Sequence, residues 1–448
     1  MSNDQVSAPT TRLTRNQLWG FGAAWGGWAL DGMDSFIYAL VMVPALHDLL
    51  PRSGIPNDEA HTGFYGGVCF ALFLVGWGLS LVWGPIADRF GRVRTLMLTI
   101  ICYSAFTFLG AIATSVWQLA AFRLLAGVGI GGEWSMGGTF IAEEWPEERR
   151  KMGAGLMHTG YYFGIFLAAI ANYTIGARYG WRAMFAIGGA PALLVGFIRY
   201  GVKEPKRWQE RMRRVREGGN ATDEERTGCP RSQGSMARAF LTLFSPEYRK
   251  RTVMNSIYLL VSITGLWAGS VYVPAAVTYL AKQSGLDQAQ GIKLASYGTM
   301  LLSTGTIIGC LALPLLAEKL GRRLTLAIYF ALMFVFISLA FGYVFYLQTH
   351  VLFWFMICLF FLGIGGANFA MYTLWLPEQY RTECRASAFA FSTSVGRFAG
   401  AGITFLVGAG VSHFHTIGTP VALTSLAFIV GLLLLPFGEE TKGKLLPA

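Results

Sequence analysis

The sequence predicts an all-α integral membrane protein of twelve transmembrane helices in two six-helix halves. Three observations lead there. Of the 448 residues, 54% are hydrophobic and only 14% charged, against about 25% charged in an ordinary soluble domain. The apolar residues lie in long runs near 18–46, 62–85, 95–114, 116–141, 152–175, 181–200, 252–280, 292–316, 324–347, 350–375, 386–410 and 418–437. A helix needs roughly 20 such residues to cross a hydrocarbon core. Finally, two loop motifs of the first six runs recur at matching places in the last six. Spanning segments are helices or closed barrels, and runs this continuous do not alternate as barrel strands do.

The chain begins with a polar stretch to about Gln17. It lacks the short apolar region and small-residue cleavage site of a signal peptide, so the first span is expected to act as an uncleaved anchor. Asp31 and Asp34 sit mid-span, three residues apart and on one helical face. An ionisable group at this depth is a functional-site hypothesis by default. Two carboxylates on one face in low dielectric do not easily both stay ionised, so the pair can take a proton at one surface and release it at the other. A fixed ion pair with Arg123 is the structural alternative.

The second run ends in the loop Gly84-Pro-Ile-Ala-Asp-Arg-Phe-Gly-Arg-Val-Arg-Thr-Leu96. Here Asp88 can sit against a positive helix N-terminus across the seam between halves. Arg89 and Arg92 can pair with Glu143, Glu144 or Glu147, with Gly91 at the turn. Such contacts would form a latch that closes one side. Arg123 lies in the outer half of the fourth span and Glu133 deeper in the same glycine-rich helix. Arg123 is a tether, an anion contact or part of the proton path, and Glu133 a further proton carrier. Gly127 and Gly131, four apart, suit close helix packing. The fifth span offers Tyr161, Tyr162 and Asn172 as pocket groups, and His158 near its end reads as packing.

A polar, basic stretch from 202 to 251 separates the halves, giving an N-terminal half over 1–201, a linker over 202–251 and a C-terminal half over 252–448. The seventh span supplies Tyr258 and Trp267. After the eighth, Pro314-Leu-Leu-Ala-Glu-Lys-Leu-Gly-Arg-Arg-Leu-Thr-Leu326 repeats the earlier loop, with Glu318 at the place of Asp88, Lys319 of Arg89 and Arg322 of Arg92. Glu318 and Lys319 should weakly mirror the latch toward the fifth helix, and Arg322 is a further gating residue. Likewise Pro377-Glu378-Gln379-Tyr380-Arg381 after the tenth span echoes Pro146-Glu147-Glu148-Arg149-Arg150 after the fourth. The tenth span carries Asn368 and Tyr372. The eleventh carries Arg397 near the midplane, whose planar guanidinium matches a carboxylate bidentately and stays charged when buried. Pairing with Asp31, Asp34 or Glu133 is its structural alternative, and the two are compatible if solute exchanges for the internal partner.

Basic residues gather on one side. If the N-terminus is cytoplasmic, so is the C-terminus, and that side holds Arg89, Arg92, Arg149, Arg150, the run from Arg199 to Arg251, Lys319, Arg322 and Arg323. The outer loops hold Arg52, Arg178, Arg182, Lys282 and Lys293. This is the positive-inside pattern, and it accounts for the net charge of +11 without a nucleic-acid partner. Six cysteines show no paired spacing, so neither disulfides nor a metal site is expected.

The Gly-x-x-x-Asp-Arg-x-Gly-Arg-x-Arg loop, its second copy and Arg123-Leu-Leu-Ala-Gly-Val-Gly-Ile-Gly-Gly resemble motifs of the major facilitator superfamily. That resemblance covers nearly the whole chain and implies the major facilitator fold. Asp31-Gly-Met-Asp34 is similar to the aromatic-acid/proton symporters. Gly131-Gly-Glu-Trp134 and Trp181-Arg-Ala-Met-Phe resemble the sialate and metabolite/proton symporters. The tail Glu439-Glu-Thr-Lys-Gly-Lys is similar to the wider sugar and organic-ion carriers. The seventh span, Asn255 to Trp267, lacks the His and Asp of monocarboxylate carriers. The expectation is a monomeric, cofactor-free cell-membrane transporter with both termini cytoplasmic, importing a small organic anion with a proton by alternating access. Efflux or antiport of organic solutes, and a non-transporting solute sensor, are the alternatives. An enzyme is not expected: no nucleophile–base set, phosphate loop or metal-ligand cluster is legible.

Overall fold

The computed structural model describes residues 15–83, 86, 92–131, 145, 147–193, 242–380 and 382–443, and every regular element among them is helical. Before residue 194 come α1 (Arg15–Arg52), α2 (Glu59–Leu79), α3 (Arg92–Gly110), α4 (Val116–Gly129), α5 (Glu147–Ala171) and α6 (Ala177–Ile187). Local chemistry sets several starts. Asp58 accepts the His61 N–H at 2.8 Å ahead of α2, and Ser115 accepts the Gln118 N–H at 3.3 Å ahead of α4, both satisfying donors a helix leaves orphaned. Between α5 and α6 the chain makes a π-helical turn over Asn172–Gly176.

After residue 241 come α7 (Arg249–Ile263), α8 (Val273–Gln283), α9 (Gln288–Leu320), α10 (Arg322–Ile337), α11 (Val351–Gly366), α12 (Ala370–Trp375), α13 (Thr382–Phe414), α14 (Gly418–Leu423) and α15 (Leu426–Leu434). Asp287 and Gln290 form a reciprocal cap at the start of α9. Helix occupies part of each of the twelve expected runs. Seven stretches are long and apolar enough to cross a membrane by length and composition among the described residues. The fourth and sixth runs continue into residues outside the described set. The seventh run is broken rather than continuous. A π-helical turn over Thr264–Gly269 separates α7 from α8, and Pro274 opens α8 in its first turn, where no backbone N–H is needed. Most of the expected linker, 202–251, lies outside the described residues, and α7 begins inside its last residues.

The two sets of helices pair alike. In the first, α1 runs along α5 and α2 along α4; in the second, α7 runs along α13 and α9 along α11. Counted by expected span, first meets fifth and second meets fourth in both. The second-to-fourth crossing even uses the same device. A Cβ on Gly76 would strike the Leu124 carbonyl and one on Gly127 the Phe73 carbonyl; Gly305 and Gly363 stand in the same relation to Phe360 and Leu302. Small residues let backbones meet where no hydrophobic effect drives helices together. The packing reading of Gly127 is thus what the structure gives.

The sets meet along two seams, α2 on α13 and α5 on α9. Near one end of the first, a Cβ on Gly67 would lie 2.9 Å from the Gly408 Cα; near the other, Gly78 faces the Phe398 ring. The second is tied by Asn172 donating to Ser296 at 3.1 Å and Tyr297 to Tyr173 at 3.2 Å. At its other end Gly155 packs on Pro314. Contact at both ends of both seams closes the structure over its middle. Outward, α9 presents Leu301, Ile308, Leu311 and Leu315, an apolar stripe suited to lipid and too extensive for a soluble surface.

Candidate substrate and proton site

The centre of the molecule is built from side chains of α1, α2, α4, α5, α7, α13 and the turns between α7 and α8 and between α11 and α12. Asp31, Asp34, Arg123 and Arg397 are all buried there, Arg397 at 8% exposure and the others at 1% or less. The structure sorts these charges into two neighbourhoods. Asp34 faces Arg123 on α4, with Thr107 of α3 beside it. Asp31 and Tyr161 are the electrostatic neighbours of Arg397 on α13. One carboxylate therefore neighbours a cation of the first set of helices and the other a cation of the second. Helical geometry explains the split. Three residues turn a helix by 300°, so side chains on one face still diverge by about 60°.

Neither end of the Asp34–Arg123 pair is hydrogen-bonded to the other. The guanidinium instead lies 4.2 Å from the Phe73 ring centroid and 5.3 Å from that of Tyr38, an attraction to the negative faces of the rings. Buried charges left this open are costly in a purely structural role. A pair held by charge alone can separate when one member takes a proton.

Arg397 lies 4.5 Å from the Trp77 ring centroid. It opens on a narrow cavity walled by Trp28, Trp77, Tyr161, Trp267 and Phe369, with His158 and Tyr162 at its edge. The rings brace one another: Trp28 on Tyr161 at 4.9 Å, Trp77 on Trp267 at 5.7 Å, His158 stacked on Phe369 at 5.8 Å. A buried guanidinium inside an aromatic box can hold a carboxylate with its apolar body against the rings. Unfilled space amounts to roughly one water molecule, so the site must widen to admit a solute.

The structure gathers some expected residues and disperses others. Trp267 and Tyr162 line the cavity with Arg397. Tyr372 lies deeper, donating to the Tyr258 carbonyl at 2.7 Å and 2.7 Å from the Ser262 hydroxyl. Tyr258 points away from the cavity: its hydroxyl donates to the Leu434 carbonyl at 2.8 Å and its ring stacks on Trp375. Asn368 donates back to the Gly365 carbonyl at 2.8 Å, holding the turn that aims Phe369. His158 packs, as read from the sequence, yet also faces the cavity. Trp28, Trp77 and Phe369 had not been singled out. The spacing of Phe70, Phe73 and Trp77, three and four apart, was the available signal, since it sets three rings on one helical face.

The expected latch is only partly visible. Asp88, Arg89, Gly91, Glu143 and Glu144 lie outside the described residues, as does the side chain of Arg92, which opens α3; Glu133, the further proton carrier read from the sequence, lies outside them too. Arg322 is the counterpart of Arg92, and Glu378 the counterpart of Glu147. Arg322 is buried and forked onto Glu378, Nε to Oε2 at 2.9 Å and a terminal nitrogen to Oε1 at 2.7 Å. It also reaches Glu318 at 3.2 Å and the Ala317 carbonyl at 3.1 Å. The tail joins the cluster: Glu440 accepts the Arg322 and Arg323 N–H groups at 2.9 and 3.1 Å, and Thr441 bonds to Glu378. A planar donor fork finds its best match in a carboxylate already beside it, so Arg322 clamps its own set of helices.

Comparison with known proteins accords with this geometry. The chain is 27% identical to the niacin transporter NiaP of Acinetobacter baylyi, covering 98% of this chain and 97% of that one. It is 32% identical to the sialic acid transporter NanX of Escherichia coli, over 42% and 44% of the two chains. The xylose transporter XylE of E. coli, in a partially occluded inward-open conformation, superposes with a TM-score of 0.71 at 19% identity, over 96% of this chain and all of that one. That likeness is one of fold. The family model of the Major Facilitator Superfamily matches residues 24–404. With its helical, multi-pass architecture, the protein belongs to the Major Facilitator Superfamily and is a membrane transporter, not an enzyme.

Proposed function

We propose that this transporter imports a small organic anion together with a proton, as a monomer in the cell membrane with both termini and the 202–251 linker on the cytoplasmic side. The observation that carries the reading is Arg397, buried in an aromatic cavity and neighbouring Asp31 across the boundary between the two sets of helices. An incoming carboxylate competes with Asp31 for the guanidinium. Asp34, facing Arg123, takes the proton. Because the proton and the anion enter together, the net charge of the centre is the same loaded as empty, and the halves 1–201 and 252–448 can rock past each other without carrying an extra bare ion through low dielectric. Two relatives are named for niacin and sialic acid, both of which carry a carboxylate, and this supports an acid over a neutral sugar.

The test is ligand binding to the purified protein, followed by quenching of the tryptophans around Arg397. Carboxylates are expected to quench and their amides not to. Arg397→Lys, which keeps the charge and loses the fork, is expected to weaken acid binding by about tenfold or more. Unchanged affinity in Arg397→Lys would remove the bidentate contact from the account.

A further inference from the structure

Beside the Arg397 cavity lies a second chamber, whose walls include Phe36, Leu302, Ser303, Thr306, Met333 and Leu362. Tyr162 and Leu266 line both spaces and so divide them. The divider spans the seam between the two sets of helices: the Tyr162 hydroxyl donates to the Gly366 carbonyl at 3.4 Å, and Gly366 is itself part of the chamber wall. Leu266 belongs to the π-helical turn of the broken seventh run; such turns often mark functional sites. The wall also has slack, since a Cβ on Gly366 would meet nothing closer than Thr306 Oγ1 at 3.6 Å.

The polar groups of the chamber differ in how they are satisfied. Ser270 and Thr306 turn their hydroxyls onto the carbonyls of Leu266 and Leu302, each four residues back, a common arrangement for hydroxyls in apolar helices. Ser303 does not. It is 1% exposed, and its Oγ is buried with no hydrogen-bond partner. Leaving a buried hydroxyl unsatisfied costs about 1–3 kcal/mol, so an otherwise apolar chamber retains one costly polar atom. Met333, with its flexible thioether, and the slack at Gly366 let the walls yield to an occupant.

We propose that this chamber is the distal compartment of the substrate site, taking the end of the solute opposite its carboxylate. The carboxylate sits at Arg397, the apolar body passes Tyr162 and Leu266, and a hydrogen-bonding atom at the far end meets Ser303. The substrate class is therefore an organic acid with an apolar or ring body and a hydroxyl, ring nitrogen or carbonyl remote from the acid group. Passage of that body displaces the Tyr162–Gly366 contact, which ties occupancy of the chamber to release of the seam. This rests on the carboxylate reading above and deepens it.

Tryptophan quenching of the full-length protein with benzoate, 4-hydroxybenzoate and the two matching amides separates the two readings. The protein is expected to bind 4-hydroxybenzoate more tightly than benzoate. Ser303→Ala should weaken the hydroxylated acid about three- to tenfold, the worth of one hydrogen bond, and leave benzoate within twofold. Ser303→Cys, a weaker donor of similar size, should fall between and guards against misfolding of the first variant. Equal shifts for both acids, or no shift for either, overturn the distal compartment. Amides binding as well as acids overturn the carboxylate reading alone, because the Ser303-dependent preference for the hydroxyl is still read on the amide pair.

Discussion

Asp31 and Asp34 illustrate what residue spacing can and cannot tell. Three residues apart in an apolar run, they read as a pair on one face, and the structure buries both. Arg123 and Arg397 were both legible as partners, but which carboxylate goes with which was not, because the direction of a side chain depends on which helix packs at which azimuth. Asp34 neighbours Arg123 within its own set, and Asp31 neighbours Arg397 across the seam. The two carboxylates should therefore fail differently. Asp34→Asn is expected to abolish proton-driven accumulation while leaving solute exchange in preloaded vesicles within a few-fold, since the solute site at Arg397 is intact. Asp31→Asn, which removes the competitor at Arg397, is expected to tighten acid binding and slow exchange. If the two variants were indistinguishable in uptake, exchange and binding, the division of roles would be wrong.

Helix existence was plain from the apolar runs, but the breaks were not. The π-helical turn over Thr264–Gly269 sits where Gly265, Gly269 and Pro274 weaken a long apolar run, a signal masked by hydropathy. Arg322 stands where the first loop has Arg92, and Glu378 where the first Pro-Glu motif has Glu147. Their two-pronged bond is the second-half counterpart of the Arg92–Glu147 pairing that the first loop offers. Arg322→Ala would strand Glu378 among buried neighbours and is expected to cost about 3–5 kcal/mol, measured as a fall in thermal stability of the purified protein. Glu440 ties the tail to the start of α10. Partial burial pushes its pKa up, but the N–H groups of Arg322, Arg323, Lys442 and Thr441 outweigh that and hold it below the ordinary 4.5. A carboxylate with its folded pKa lowered adds stability above the unfolded value and loses it as pH falls through the folded one. The Arg322 and Arg323 amides should thus lose exchange protection only below about pH 4.5. The Glu440→Gln variant should lack that acid transition; a transition unchanged in it would exclude Glu440 as its source.

Across the whole molecule, the matched loop motifs announced a duplication, and the repeated pairing of spans first-with-fifth and second-with-fourth follows it. What no motif announced is how the sets press together at both ends of both seams over a cavity nearly filled by its own rings. Such an arrangement must open to work, and at Gly67 and Gly408 the backbones of α2 and α13 press directly on each other. Gly67→Leu should hold that seam apart, lowering transport severalfold while acid binding persists; full transport would show that the seam need not close there. An organic acid and a proton are coupled, on this reading, through one buried site. The most direct measurement of that coupling is uptake by proteoliposomes of a panel of carboxylates and their amides, with and without an imposed proton gradient. Concentrative uptake of at least one acid, dependent on the gradient and lost in Asp34→Asn, is the predicted result. Uptake indifferent to the gradient, or equal for acids and amides, would contradict it.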